Sequence, residues 1–225
     1  MNWIKAALVI FPTGLIISGV VAMFWYVSQK QETQSRSIRY AAGLAKKINS
    51  ADLERYEKIV KETQDARIIE SFLESTLGPE NMGYTLRKVS GEGTDATRAV
   101  AMDVELTGQQ RPRDIVMVLV DPSSSPVVLS TAHAMTGEPQ TRSIRFVIVE
   151  NLAAVRRYYT DVIQMNDRIT HILVLGALAA ETDDRLVESL HLQQTGTVIE
   201  RPNATATVES AQSIRTRLKE LAGRF

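Results

Sequence analysis

The sequence predicts an α/β protein, with a mixed and mainly parallel sheet carrying helices on both faces, preceded by one transmembrane helix. Three observations carry this expectation. Residues 6–27 (AALVIFPTGLIISGVVAMFWYV) contain no charged side chain. Residues 114–120 (DIVMVLV) and 170–175 (THILVL) are almost wholly apolar runs of strand length. From residue 114 onward such runs alternate with segments of helical period. Continuous apolar strands suit the middle of a sheet covered on both faces, and strand–helix alternation suits parallel βαβ units.

About 22 residues at ~1.5 Å each cover the ~30 Å hydrocarbon core of a bilayer. Trp3 at one end and Trp25 with Tyr26 at the other sit where amphipathic rings prefer the headgroup layer. A cleaved signal peptide is the competing reading, but its apolar core is normally ~7–15 residues, and this run continues into its aromatic belt. Lys30, Arg36, Arg39, Lys46 and Lys47 follow the span, and only Lys5 precedes it. Loop charge alone would therefore place the domain in the cytoplasm. The very short leading tail instead favours a signal-anchor with the domain on the extracytoplasmic side. The expected organisation is an anchor over residues 1–27, a polar stalk over 28–49 and one α/β domain over 50–225.

After the stalk, Ser50 is placed to cap a helix reaching Leu77, with Leu53, Tyr56, Val60, Ile69, Phe72, Leu73 and Leu77 close to one face. Residues 84–89 and 98–106 read as a hairpin around the turn at 90–95. In its second strand Val100, Met102, Val104 and Leu106 alternate with more polar neighbours, the pattern of a sheet with one solvated face. Residues 107–113 (TGQQRPR) are a turn, and 114–120 open the central sheet. A helix at 126–135, a strand at 143–150, a helix at 152–163 and a strand at 170–175 complete a βαβαβ series. A helix at 181–190, a short strand at 196–200 and a helix at 208–222 finished by Gly223 close the chain.

Composition removes several function classes. Basic and acidic side chains balance at 26 each, so no net field draws in nucleic acid. The absence of cysteine excludes disulfides, thiolate zinc sites and cysteine nucleophiles. Ser123-Ser124-Ser125 lacks the strained elbow of a serine hydrolase. Only His133, His171 and His191 remain as imidazoles.

Three stretches together resemble one family. Residues 68–77 with Gly83 and Tyr84, residues 104–120 (VELTGQQRPRDIVMVLV) and residues 124–149 (SSPVVLSTAHAMTGEPQTRSIRFVIV) are similar to the two-zinc aminopeptidases of metallopeptidase clan MH. That clan includes bacterial leucyl aminopeptidases and glutaminyl cyclases. The most specific stretch runs from Gly137-Glu138-Pro139 to Arg145-Phe146. The resemblance implies a zinc-exopeptidase-like fold and, in active members, five metal ligands and a general base around two zinc ions.

Those ligands are missing where the resemblance would put them. In place of the family's H-Y-D the chain has Val120-Asp121-Pro122-Ser123, and the loop carrying the bridging aspartate has shrunk to Ser123-Ser124-Ser125-Pro126. The family's E-E pair becomes Glu150-Asn151, and the aspartate after the next strand falls at Gly176-Ala177. The surviving candidates are Glu150 as a base and Asp121, His133 and His171 as metal ligands. Each also has a plainer structural reading, as turn, ion-pair or core residue. Other clan members, such as the transferrin receptor ectodomain, resemble this combination of the fold, a membrane anchor and no zinc peptidase site. The expectation is a membrane-anchored, catalytically inactive aminopeptidase-like binding or scaffold subunit without a cofactor, with a protein partner or a second copy of itself. The alternative is a degenerate hydrolase holding zinc on a reduced site.

Overall fold

The computed structural model describes residues 18–23, 25–26, 40–63, 65–91, 98–190 and 196–223. The chain divides into two units, residues 1–40 and 41–225. In the first, residues 18–23 and 25–26 are helical. The rest of the expected anchor and the first part of the expected stalk lie outside the described residues. Among the described residues no helix is long and apolar enough to cross a membrane.

The second unit begins with α1 (Ser50–Glu62) and α2 (Ala66–Leu77). The strands are β1 (Leu86–Ser90), β2 (Ala99–Leu106), β3 (Arg111–Val120), β4 (Arg142–Val149), β5 (Arg168–Leu175) and β6 (Val198–Glu200). Between and after them come α3 (Ser125–Met135), α4 (Leu152–Val162), α5 (Asp183–Ser189) and α6 (Val208–Ala222). The strand order is β1-β2-β4-β3-β5-β6. β3, β4, β5 and β6 run parallel, while β2 is antiparallel to both β1 and β4. The sheet is thus mixed and mainly parallel.

Period-two geometry divides each central strand between two cores. On β3, Val116, Val118 and Val120 face the layer formed by α1, α2, α3 and α6, while Ile115, Met117 and Leu119 face α4 and α5. Ile144, Phe146 and Ile148 on β4 join the first core, and Val147 and Val149 the second. Every residue of α3 is buried, which suits a helix that is apolar or small on all sides, with Ser130, Ala132 and Ala134 admitting its neighbours.

Three details depart from expectation. The helix read as continuous from Ser50 to Leu77 is two helices. Thr63 is extended at φ −97°, ψ 113°, and the Asp65 carboxylate accepts from the Arg67 amide at 2.8 Å, capping a new start. Short polar side chains that compete for backbone groups stop a helix even where its apolar stripe continues. The N-cap of α1 is Asn49, whose Oδ1 accepts from the Asp52 amide at 2.8 Å. The third departure concerns β2, whose polar positions are not solvated. Asp103 is 1% exposed, because β2 lies inside the sheet and α4 covers the face that carries it.

Residues 41–49, grouped with the stalk by sequence, pack on this domain. The Lys46 amide donates to the His133 carbonyl at 3.4 Å, and His133 Nε2 lies 3.1 Å from the Leu44 carbonyl. Gly137 has φ +69°, and a Cβ there would strike the backbone of Ala42. A side chain at that position would displace the strap.

Candidate functional site

In an open α/β sheet, ligands bind beyond the carboxyl ends of adjacent parallel strands whose onward connections leave in opposite directions. Here those strands are β3 and β5. β3 leads through α3 to β4 on one side, and β5 leads through α5 to β6 on the other. Asp121 follows β3, Gly176 follows β5, and Glu150 follows β4. Two of the four residues singled out by sequence, Asp121 and Glu150, therefore stand at this end.

Asp121 is 6% exposed and spends its carboxylate on the chain itself. Oδ1 accepts from the Ala177 amide at 2.8 Å, and Oδ2 accepts from the Ser123 amide at 3.0 Å and from the Ser123 hydroxyl. These bonds tie together two 3-10 turns, Pro122–Ser124 and Gly176–Ala180, which close the crevice. Gly176 is required for the closure, since it has φ +70° and a Cβ there would collide with Asp121 Oδ1 and Ser124. A carboxylate accepting several N–H and O–H bonds is held in a fixed orientation.

Glu150 is partly exposed and forms an ion pair with Arg98 across the ends of β2 and β4. Both line a small cavity with Ile69, Leu73, Met102 and Ile148. Its volume of about 120 Å³ lies well below the ~300–1,000 Å³ of small-molecule sites.

The histidines lie elsewhere. His133 is in the last turn of α3, against Leu44 and beside Lys46. Burial holds its pKa below the ordinary imidazole value, and the Lys46 ammonium adds to the shift. His171 is near the start of β5, with Nδ1 3.2 Å from the Thr170 hydroxyl. Its pKa is also lowered, by burial and then by Arg142. His191 is outside the described residues. A zinc ion needs three or four converging donors. Among the described residues no group of three or more His, Asp or Glu side chains is arranged to hold a metal. Zinc therefore does not fit the residues at this end: the Asp121 oxygens are already bonded, Glu150 faces a guanidinium, and both described histidines sit away from them.

The largest concentration of buried charge lies between the sheet and α4, and sequence reasoning missed most of it. Arg87 donates to both Asp103 oxygens, at 3.0 and 2.6 Å, and the Tyr158 hydroxyl donates to Asp103 Oδ2 at 3.1 Å. Arg145 pairs with Glu105 and Asp167, each at 3.2 Å. Burial, reinforced by Asp103, pushes the Tyr158 phenol above its usual range, so it remains a donor. The available signal was the pairing of Arg87, Asp103 and Arg145 on three strands that also carry apolar runs. The bonds are made among the network's own members, and it reads as structural.

An α/β fold with a switch-point crevice at the ends of β3 and β5 defines the class, and comparison with solved structures gives it a family likeness. No protein-family model and no curated protein sequence matches the chain. A Zn-dependent exopeptidase from Parabacteroides distasonis superposes with TM-score 0.55 at 9% identity, over 80% of this chain and 100% of that one. A putative Zn-dependent exopeptidase from Bacteroides vulgatus gives 0.54 at 10%, over 79% and 97%. Porphyromonas gingivalis glutaminyl cyclase gives 0.52 at 8%, over 75% and 98%. The chain therefore has the aminopeptidase-like fold shared by Zn-dependent exopeptidases and glutaminyl cyclases.

Proposed function

We propose that this chain is a membrane-anchored aminopeptidase-like domain that binds a protein partner, or a second copy of itself, instead of cleaving peptides. The observation that carries the reading is the state of Asp121. The one carboxylate directly at the switch point is bonded to Ala177 and Ser123, and the turns it ties cover the place where a ligand would enter. The fold does not need the metal chemistry, because its two cores are built from strands and helices, not from the loops at their ends. The uncharged run at residues 6–27, long enough to span a bilayer, supports an anchor.

The test uses the full chain purified from membranes. It should stay with the bilayer through alkaline extraction, carry no stoichiometric zinc, leave fluorogenic aminoacyl substrates intact and crosslink to a partner in native membranes. Stoichiometric zinc together with hydrolysis that a chelator and Glu150→Gln both abolish would overturn the binding reading in favour of a degenerate hydrolase.

A further inference from the structure

We propose that the end of the domain opposite the crevice is a membrane-facing surface that contacts anionic phospholipid headgroups, with Met165 as its apolar tip. The inference rests on the anchor reading above and adds which face of the domain meets the lipid.

Connectivity is the first observation. The chain enters the domain through residues 41–49, and the groups that seat this strap, Gly83, His133 and Gly137, lie just before β1, at the end of α3 and just before β4. β1 runs parallel to β4, as do β3 and β5, so the strap enters at the amino ends of these strands. The crevice with Asp121 and Gly176 is at their carboxyl ends. The strap's end of the domain is therefore the end nearest in sequence to the expected anchor at residues 6–27.

The second observation is independent of the first. At this same end Met165 is 99% exposed, on the turn between α4 and β5. That turn is held open at its tip. The Asp167 amide donates to the Gln164 carbonyl at 2.9 Å, the Gln164 amide donates to Asp167 Oδ2 at 3.2 Å, and Asp167 is fixed in turn by Arg145. An apolar side chain displayed on a braced turn is positioned to enter an interface without further ordering.

The third observation is charge. Arg111 and Arg113, at the start of β3 on the loop packed against residues 140–142, are exposed, and so are Lys46 and Lys47 on the strap. The acidic groups around them are engaged: Asp114 by Arg168, Glu138 by Arg215 and Lys219, and Asp167 by Arg145. Glu80, on the turn after α2, and Asp52, beside Lys46 and Lys47 and bonded to Asn49, oppose the trend. Four exposed cations on the end that carries Met165 fit an interfacial lipid contact, in which each cation near an anionic surface is worth about fivefold in affinity.

The chain has no cysteine, so single reporters can be introduced without background. The full chain is reconstituted in vesicles of phosphatidylcholine, with or without phosphatidylglycerol, that carry a headgroup nitroxide quencher. A fluorophore is attached at Asn166→Cys, beside Met165, or at Ala180→Cys, at the crevice end; both positions are exposed. The expected result is at least severalfold stronger quenching at residue 166 than at residue 180 in vesicles with phosphatidylglycerol. That difference should shrink when Arg111→Glu, Arg113→Glu and Met165→Ser are combined, while far-ultraviolet circular dichroism stays unchanged. Equal quenching at the two ends, or a difference untouched by the triple change in a folded protein, overturns the face assignment and leaves the anchor standing. Failure of the chain to float with alkali-washed vesicles overturns the anchor reading and this inference with it.

Discussion

Asp121 and Gly176 show how two residues decide what a crevice can do. A carboxylate at the carboxyl end of a parallel strand is a natural ligand or base, but here three hydrogen bonds from Ser123 and Ala177 use it as a tie between turns. Gly176→Ala places a Cβ against Asp121 Oδ1 at a left-handed backbone position. It should destabilise the domain by roughly 1–3 kcal/mol from backbone conformation alone, read as a lower urea midpoint with unchanged slope. Asp121 itself was legible in the sequence, whereas its bond to Ala177 was not, since 56 residues separate the two partners. His133 makes a different prediction. Its folded pKa lies below the unfolded value of about 6.5, because burial and then Lys46 disfavour the imidazolium. As pH falls, the unfolded chain takes up the proton first, so stability is full above about pH 6.5 and declines below it. His171 is shifted in the same direction. Denaturation midpoints measured from about pH 7.5 down to about pH 5 should fall less steeply for His133→Gln than for the parent chain.

Among the elements, the central strands were the easiest to read and the charged ones the hardest. Residues 115–120 and 172–175 announce themselves because both faces of β3 and β5 are covered there, and polar residues are left to the strand starts. β2 misled because Asp103 and Glu105 alternate with apolar residues, as they would on a wet face. Alternation in one strand reports two unlike faces, and the partners Arg87, Arg145 and Tyr158 that make the second face buried come from elsewhere in the chain. Asp103→Ala leaves Arg87 partly exposed and still paired with Glu105, but strands the buried Tyr158 hydroxyl, and should cost about 1–3 kcal/mol. By contrast, Glu188→Ala, which breaks an exposed pair with Arg156, should cost no more than about 1 kcal/mol; thermal or urea unfolding of the two variants side by side checks the contrast. The break between α1 and α2 was missed for a local reason. The apolar stripe stops at Val60 and resumes at Ile69, and the capping of the Arg67 amide by Asp65 starts a new helix between them.

For the molecule as a whole, the aminopeptidase-like fold was legible from motif stretches that carry no catalytic group, since the residues around Gly137-Glu138-Pro139 serve packing. Gly137 admits the strap at Ala42, and Glu138 accepts from Arg215 and Lys219 on α6. The order of the strands, with β4 between β2 and β3, was not legible, because parallel strands joined by helices leave their neighbours unspecified. Strong core side chains and a closed crevice are compatible, since packing and site chemistry reside in different residues. Phe146, 1% exposed at the centre of β4, belongs to the packing alone, and Phe146→Ala should cost about 3–5 kcal/mol, read as a lower unfolding midpoint. The central claim, that the switch point is closed by the chain's own hydrogen bonds, is tested most directly by calorimetric titration of zinc into the metal-stripped full chain. The account predicts no saturable uptake attributable to the crevice, and the same heats from Asp121→Ala. Tight stoichiometric zinc binding that Asp121→Ala abolishes would contradict it.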